Sequence, residues 1–128
     1  MPHLRVEGGE PVAPAALHAA LAPFTVRDET GVLRLMACYL EREGEDLLLE
    51  LLAAESAKPQ HFFAALRRRD GAWLLRCLPL TDPEKTPAVR RLLALAGLRV
   101  AACLPGSRAL SEDLGPELAA MAGALPPD

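Results

Sequence analysis

Gln60-His61-Phe62-Phe63-Ala64-Ala65-Leu66-Arg67-Arg68-Arg69-Asp70-Gly71-Ala72-Trp73-Leu74-Leu75-Arg76-Cys77-Leu78 is the stretch that decides the fold. Two mostly apolar arms flank an Asp-Gly pair. A two-residue Asp-Gly loop favours a type I′ turn, in which both central residues need φ > 0 and whose twist suits the flanking strands. The register follows: Arg69 opposite Ala72, Arg68 opposite Trp73, Arg67 opposite Leu74, Leu66 opposite Leu75, and Ala65 opposite Arg76.

Because strand side chains alternate, this register sorts the hairpin into two faces. One carries Phe62, Ala64, Leu66, Trp73, Leu75 and Cys77, with Arg68 beside Trp73 near the turn, and is expected to be the helix-covered core. The other carries Phe63, Ala65, Leu74 and Leu78 together with Arg67, Arg69 and Arg76. Apolar area with arginine embedded in it has the composition of a contact surface. The ordinary alternative is a solvated rim, in which long arginine stems lie over apolar surface, keep their charge in water and blunt aggregation.

Upstream, Phe24-Thr25-Val26-Arg27 has strand character, Asp28-Glu29-Thr30-Gly31 reads as a turn, and Val32 to Arg42 as a long strand. Strict alternation there sends Leu33, Leu35, Ala37 and Tyr39 one way and Val32, Arg34, Met36, Cys38 and Leu40 the other. Glu43-Gly44-Glu45 supplies turn chemistry. Asp46 to Ala57 fits two readings. Leu47, Leu48, Leu51 and Leu52 have helical spacing, and Leu, Glu and Ala favour helix. Placed after a strand and a short polar turn, the same run is the second arm of a hairpin, with Leu47, Leu49, Leu51 and Ala53 on one face. The strand reading is adopted.

At the start, Leu4-Arg5-Val6 is a short candidate strand closed by Gly8-Gly9, and Pro14 opens a helix that ends before Pro23. Beyond the hairpin, Thr81-Asp82-Pro83 ends the meander. Thr86 can N-cap a helix with Pro87 at its first position, running to about Ala96 and closed by Gly97. Leu98 to Leu104 reads as one more strand, Pro105-Gly106-Ser107 as a loop, and Ser111 to Leu125 as a last helix interrupted near its start by Gly115-Pro116. Pro126-Pro127-Asp128 is a tail. The expectation is one α+β domain over residues 1–128: an antiparallel meander of four to five strands with helices packed on one face, in the order α-ββββ-α-β-α.

Composition narrows the function classes. The 128 residues suit one domain, and 51% hydrophobic content with only 4% aromatic implies a core of Leu, Ala and Val. A net charge of −3, from 14 basic and 17 acidic residues, disfavours a dedicated nucleic-acid binder. The N-terminus lacks the apolar region of a signal peptide and no apolar run is long enough to span a bilayer, so a cytoplasmic protein with no membrane partner is expected. Cys38, Cys77 and Cys103 form no C-x-x-C pair and read as buried thiols. His3, His18 and His61 have no metal-ligand spacing. No G-x-S-x-G, P-loop or G-x-G-x-x-G occurs. Ser107 and Ser111 suit helix capping as well as anion binding, and Glu41, Glu43, Glu45 and Asp46 gather at a turn, where they are solvated rather than set in a cleft.

No catalytic residue, metal or cofactor is therefore assigned, and whether the chain is an enzyme is left open. The leading expectation is a non-catalytic binding or adaptor module that self-associates, as a homodimer, through the sheet face that the helices leave uncovered. The alternative is a small-molecule binding protein or small enzyme, with Arg67, Arg76 and the pair Arg68 and Trp73 holding an anionic ligand in a pocket between sheet and helices. A nucleic-acid contact through the same arginines is the least favoured reading.

Overall fold

Asp70 and Gly71 both adopt positive φ, 50° and 78°, and the register across them is the one their turn chemistry implies, from Arg69↔Ala72 to Ala64↔Cys77. The computed structural model describes residues 3–29, 31–56 and 58–126. Met1-Pro2, Thr30 of the first expected turn, Ala57 at the end of the ambiguous segment, and Pro127-Asp128 of the expected tail lie outside the described residues.

In chain order the elements are β1 (His3–Gly8), α1 (Pro14–Ala20), β2 (Phe24–Asp28), β3 (Gly31–Leu40), β4 (Leu47–Glu55), β5 (Lys58–Arg69), β6 (Ala72–Cys77), a 3-10 turn (Pro79–Thr81), α2 (Pro87–Ala102), β7 (Ser107–Leu110) and α3 (Gly115–Met121). The class is α+β. The ambiguous segment is a strand, with Leu47, Leu49, Leu51 and Ala53 buried on one face. The sheet is larger than the four to five strands expected: seven antiparallel strands run in the order β2-β3-β4-β5-β6-β1-β7. β2 to β6 form the meander; β1 then lies against β6, and β7 against β1.

α2 packs against β3, β4, β1 and β7. β3 and β7 stand second and last in the strand order, about 24 Å apart in a flat sheet. α2 touches both, and the sheet curls around it. α2 is consequently buried on nearly every side, from Ala88 through Val100. α1 adds Leu17 to the same core, and α3 packs on α2 and β7. Among the described residues, no helix is long and apolar enough to cross a membrane.

Three local expectations are corrected. Gly97 does not close a helix: α2 continues through it to Ala102, so Leu98 to Leu104 is not a strand. A Cβ at Gly97 would lie 2.4 Å from Leu4 Cδ2 and 2.5 Å from Leu4 Cδ1, so glycine serves there as the point of closest approach between α2 and β1. The strand instead begins at Ser107, within the expected loop, and α3 is shorter than expected, with Gly115-Pro116 opening it rather than interrupting it. The Thr86 cap is as expected, its side chain accepting from the Val89 amide at 3.2 Å.

The third correction bears on the faces. Leu35 pairs with Leu51, but the next pair is Ala37↔Glu50, so Met36 is an extra residue in a β-bulge. Beyond it the alternation inverts. Cys38 and Leu40 join Leu33 and Leu35 against the core, while Tyr39 turns outward and is exposed. The bulge falls where β2 stops pairing with β3. There His18 Nε2 of α1 lies 3.0 Å from the Cys38 carbonyl and occupies part of the edge that β2 leaves open.

Candidate functional site

The face of the sheet away from α2 is the candidate site. Its middle is carried by Leu48, Glu50 and Leu52 of β4, His61, Phe63, Ala65, Arg67 and Arg69 of β5, and Leu74 and Arg76 of β6. Among the described strand residues that point this way only two small ones, Ala65 and Ala72, are buried, each 7% exposed; the rest are partly or fully exposed. An antiparallel sheet solvated on one side ordinarily alternates apolar inward and polar outward. Here Leu48, Leu52, Phe63 and Leu74 break that rule. Leu80, 98% exposed, lies in the 3-10 turn after β6, where the neighbouring Thr81 hydroxyl accepts from the Phe63 amide at 3.0 Å.

The basic part has a regular construction. Leu74 stands between Arg5 of β1 and Arg67 of β5, and Arg76 between His3 and Ala65. With Arg69 nearer the turn, four guanidinium groups surround one leucine. Arg67 Nε lies 3.3 Å from Asp46 Oδ2 and Arg5 Nε 3.1 Å from Glu7 Oε2. Shallow recesses lie between them, one of about 180 Å³ at Ala65, Arg67, Arg69, Leu74 and Arg76, and one of about 300 Å³ that includes Arg5, Leu74, Arg76 and Leu110.

The seven residues singled out in the sequence do not form one site. Phe63, Arg67, Arg69, Leu74 and Arg76 share the outer face. Arg68 and Trp73 point to the helix side, with the Arg68 guanidinium carbon 5.7 Å from the Trp73 ring centroid and Nη1 donating to the Val12 carbonyl at 3.4 Å. The recess they line, about 370 Å³ with Val6, Gly9, Val12 and Leu104, includes neither Arg67 nor Arg76. Period-two alternation puts 67 and 68 on opposite sides of the sheet, so Arg67 and Arg76 line one recess and Arg68 and Trp73 another.

Sequence reasoning missed a polar cluster on the same outer face. Tyr39 Oη donates to Glu50 Oε1 at 2.6 Å, and His61 Nε2 lies 2.8 Å from Glu50 Oε2. The hydrogen bond from Tyr39, then that from His61, hold the Glu50 carboxyl below the usual carboxylate range, and the same Tyr39 bond raises the phenol. The three residues come from three adjacent strands, and Tyr39 reaches this side only because of the Met36 bulge. The register of β4 with β5 could have paired Glu50 with its neighbours on β5; nothing local in the sequence marks the bulge.

On the helix side, burial pushes the Cys38 and Cys77 thiols each up to about 11. Among the described residues, no three His, Cys, Asp or Glu side chains converge as a metal site. Compared with protein-family models, curated proteins and solved structures, the chain matches none of them.

Proposed function

We propose that this chain is a non-catalytic binding or adaptor module of the cytoplasm that self-associates as a homodimer through the outer face of its sheet. The observation that carries the reading is the partial exposure of four large apolar side chains, the half-buried Leu48, Leu52, Phe63 and Leu74, across the middle of that face. Fully burying a large apolar side chain that starts in water is worth about 1.5–3 kcal/mol. These half-buried ones gain a part of that each, and a second sheet laid on this face covers several at once. Arginine among apolar residues suits such a contact, because its planar head pairs with carboxylates while its stem packs. Three free cysteines fit a reducing compartment.

Sedimentation velocity of the purified chain at micromolar concentration tests the reading. A species of twice the 13.7 kDa chain mass is expected. A monomer alone across that range would refute it.

A second reading has its own support in the four arginines around Leu74. They suit a small anionic ligand held on the open face rather than in a pocket between sheet and helices. Stabilisation against heat by inorganic phosphate, lost in Arg76→Ala, is its expected signature.

A further inference from the structure

We propose that the two copies meet about a two-fold axis parallel to the strands, along the seam of β4 and β5, so that the acidic β3–β4 turn of each lies over the basic β5–β6 hairpin of the other. This rests on the self-association reading and adds the arrangement of the partner.

A two-fold contact uses the same patch on both copies, so that patch must be complementary to itself. The outer face supplies both signs at one end of the sheet. The β3–β4 turn carries Glu41, Glu43, Glu45 and Asp46 against the single base Arg42. The neighbouring hairpin carries Arg67 and Arg69 outward, Arg68 at the rim and Asp70 as its only acid. The two turns are level. Leu47 pairs with Leu66, and Arg67 already reaches Asp46 of its own chain at 3.3 Å.

Three orientations of the axis can be compared. An axis normal to the sheet never brings two outer faces together. An in-plane axis running across the strands reverses each strand onto itself. It carries the acidic turn of one copy away from the arginine hairpin of the other and sets Arg67 and Arg69 toward the other end of β5, where His61 is already paired with Glu50 at 2.8 Å. An axis along the strands keeps each end where it is and exchanges left for right. It lays the carboxylates of residues 41–46 on the partner's arginines, twice over by symmetry. Leu48 and Ala65, direct neighbours across the β4–β5 seam, then fall on the axis and form the dry centre of the contact. The seam lies near the middle of the seven-strand order, where a sheet curled around α2 presents its outer crest.

Charge exchange tests the arrangement. The double variants Arg67→Glu/Arg69→Glu and Glu43→Arg/Glu45→Arg are prepared separately, confirmed as folded by circular dichroism, and sedimented alone and mixed. Each alone sets like charges together, so its dissociation constant should rise at least tenfold over the wild type. Mixed, the two are complementary at both ends, and the heterodimer should recover near wild-type affinity. A wild-type dimer whose variants associate as it does, or whose mixture forms no excess of heterodimer, overturns the arrangement and leaves self-association standing. A monomeric wild type overturns both. If the Arg67 exchange unfolds the sheet, the single exchanges Arg69→Glu and Glu43→Arg carry the same comparison.

Discussion

Gly97 of α2 lies so close to Leu4 of β1 that the Cβ of any other residue would meet both methyl groups of Leu4, at 2.4 and 2.5 Å. Leu4 is itself buried and cannot swing into solvent. Alanine in mid-helix is ordinarily worth about 1 kcal/mol over glycine, yet overpacking costs about 1–3 kcal/mol. Gly97→Ala is therefore expected to lower stability on balance, by up to about 2 kcal/mol. Urea denaturation of the four proteins of a cycle checks the cause: Leu4→Ala should cost less in the Gly97→Ala background than alone. Equal costs would place the strain elsewhere.

Glu50 gives the outer face an acid-sensitive component. Its folded carboxyl is held low by Tyr39 and then His61, so the stabilisation is complete above the unfolded value, about 4.3. It is lost as pH falls through the lower folded value. The difference in urea midpoint between the wild type and Glu50→Gln should shrink between pH 5 and pH 3. A difference that grows on acidification would contradict the hydrogen-bond geometry.

The thiols offer a test of the inner face. At pH 8 a thiol raised to about 11 is ionised in about one molecule in a thousand. Native alkylation with iodoacetamide, read by peptide mass, should leave Cys38 and Cys77 largely unmodified. Both should react readily in urea. Fast native modification of Cys38 would mean that the strand beyond Met36 does not face the core.

The parts of the fold that the sequence made legible are those set by local chemistry. Asp70-Gly71 demands one turn type and with it one register, and the two faces of β5 and β6 follow residue by residue. Thr86-Pro87 marks a helix start in the same way. Where a choice depends on distant packing, the pattern is silent. Val32 to Leu40 is apolar on both parities, so no alternation signal reveals that Met36 is an extra residue or that Tyr39 joins Glu50. α2 is buried nearly all round, which removes the amphipathic stripe that would have carried the helix past Gly97. Its second half, Leu98 to Leu104, then resembles a buried strand. The outer-face arginines were found from the hairpin; the Tyr39–Glu50–His61 cluster was not, because it needs the bulge and two registers together.

The central claim is that the outer face of the sheet is where two copies meet. Sedimentation equilibrium of Leu48→Asp and Leu74→Asp, beside the control Ala119→Asp on the exposed side of α3, tests it most directly. Leu74 stands between Arg5 and Arg67, so an aspartate there gains ion-pair partners in the monomer that offset part of what the lost leucine contributes. Both outer-face variants should weaken the dimer about a hundredfold, roughly 2.7 kcal/mol, while Ala119→Asp leaves it unchanged. Folded outer-face variants that dimerise as tightly as the control would contradict the account.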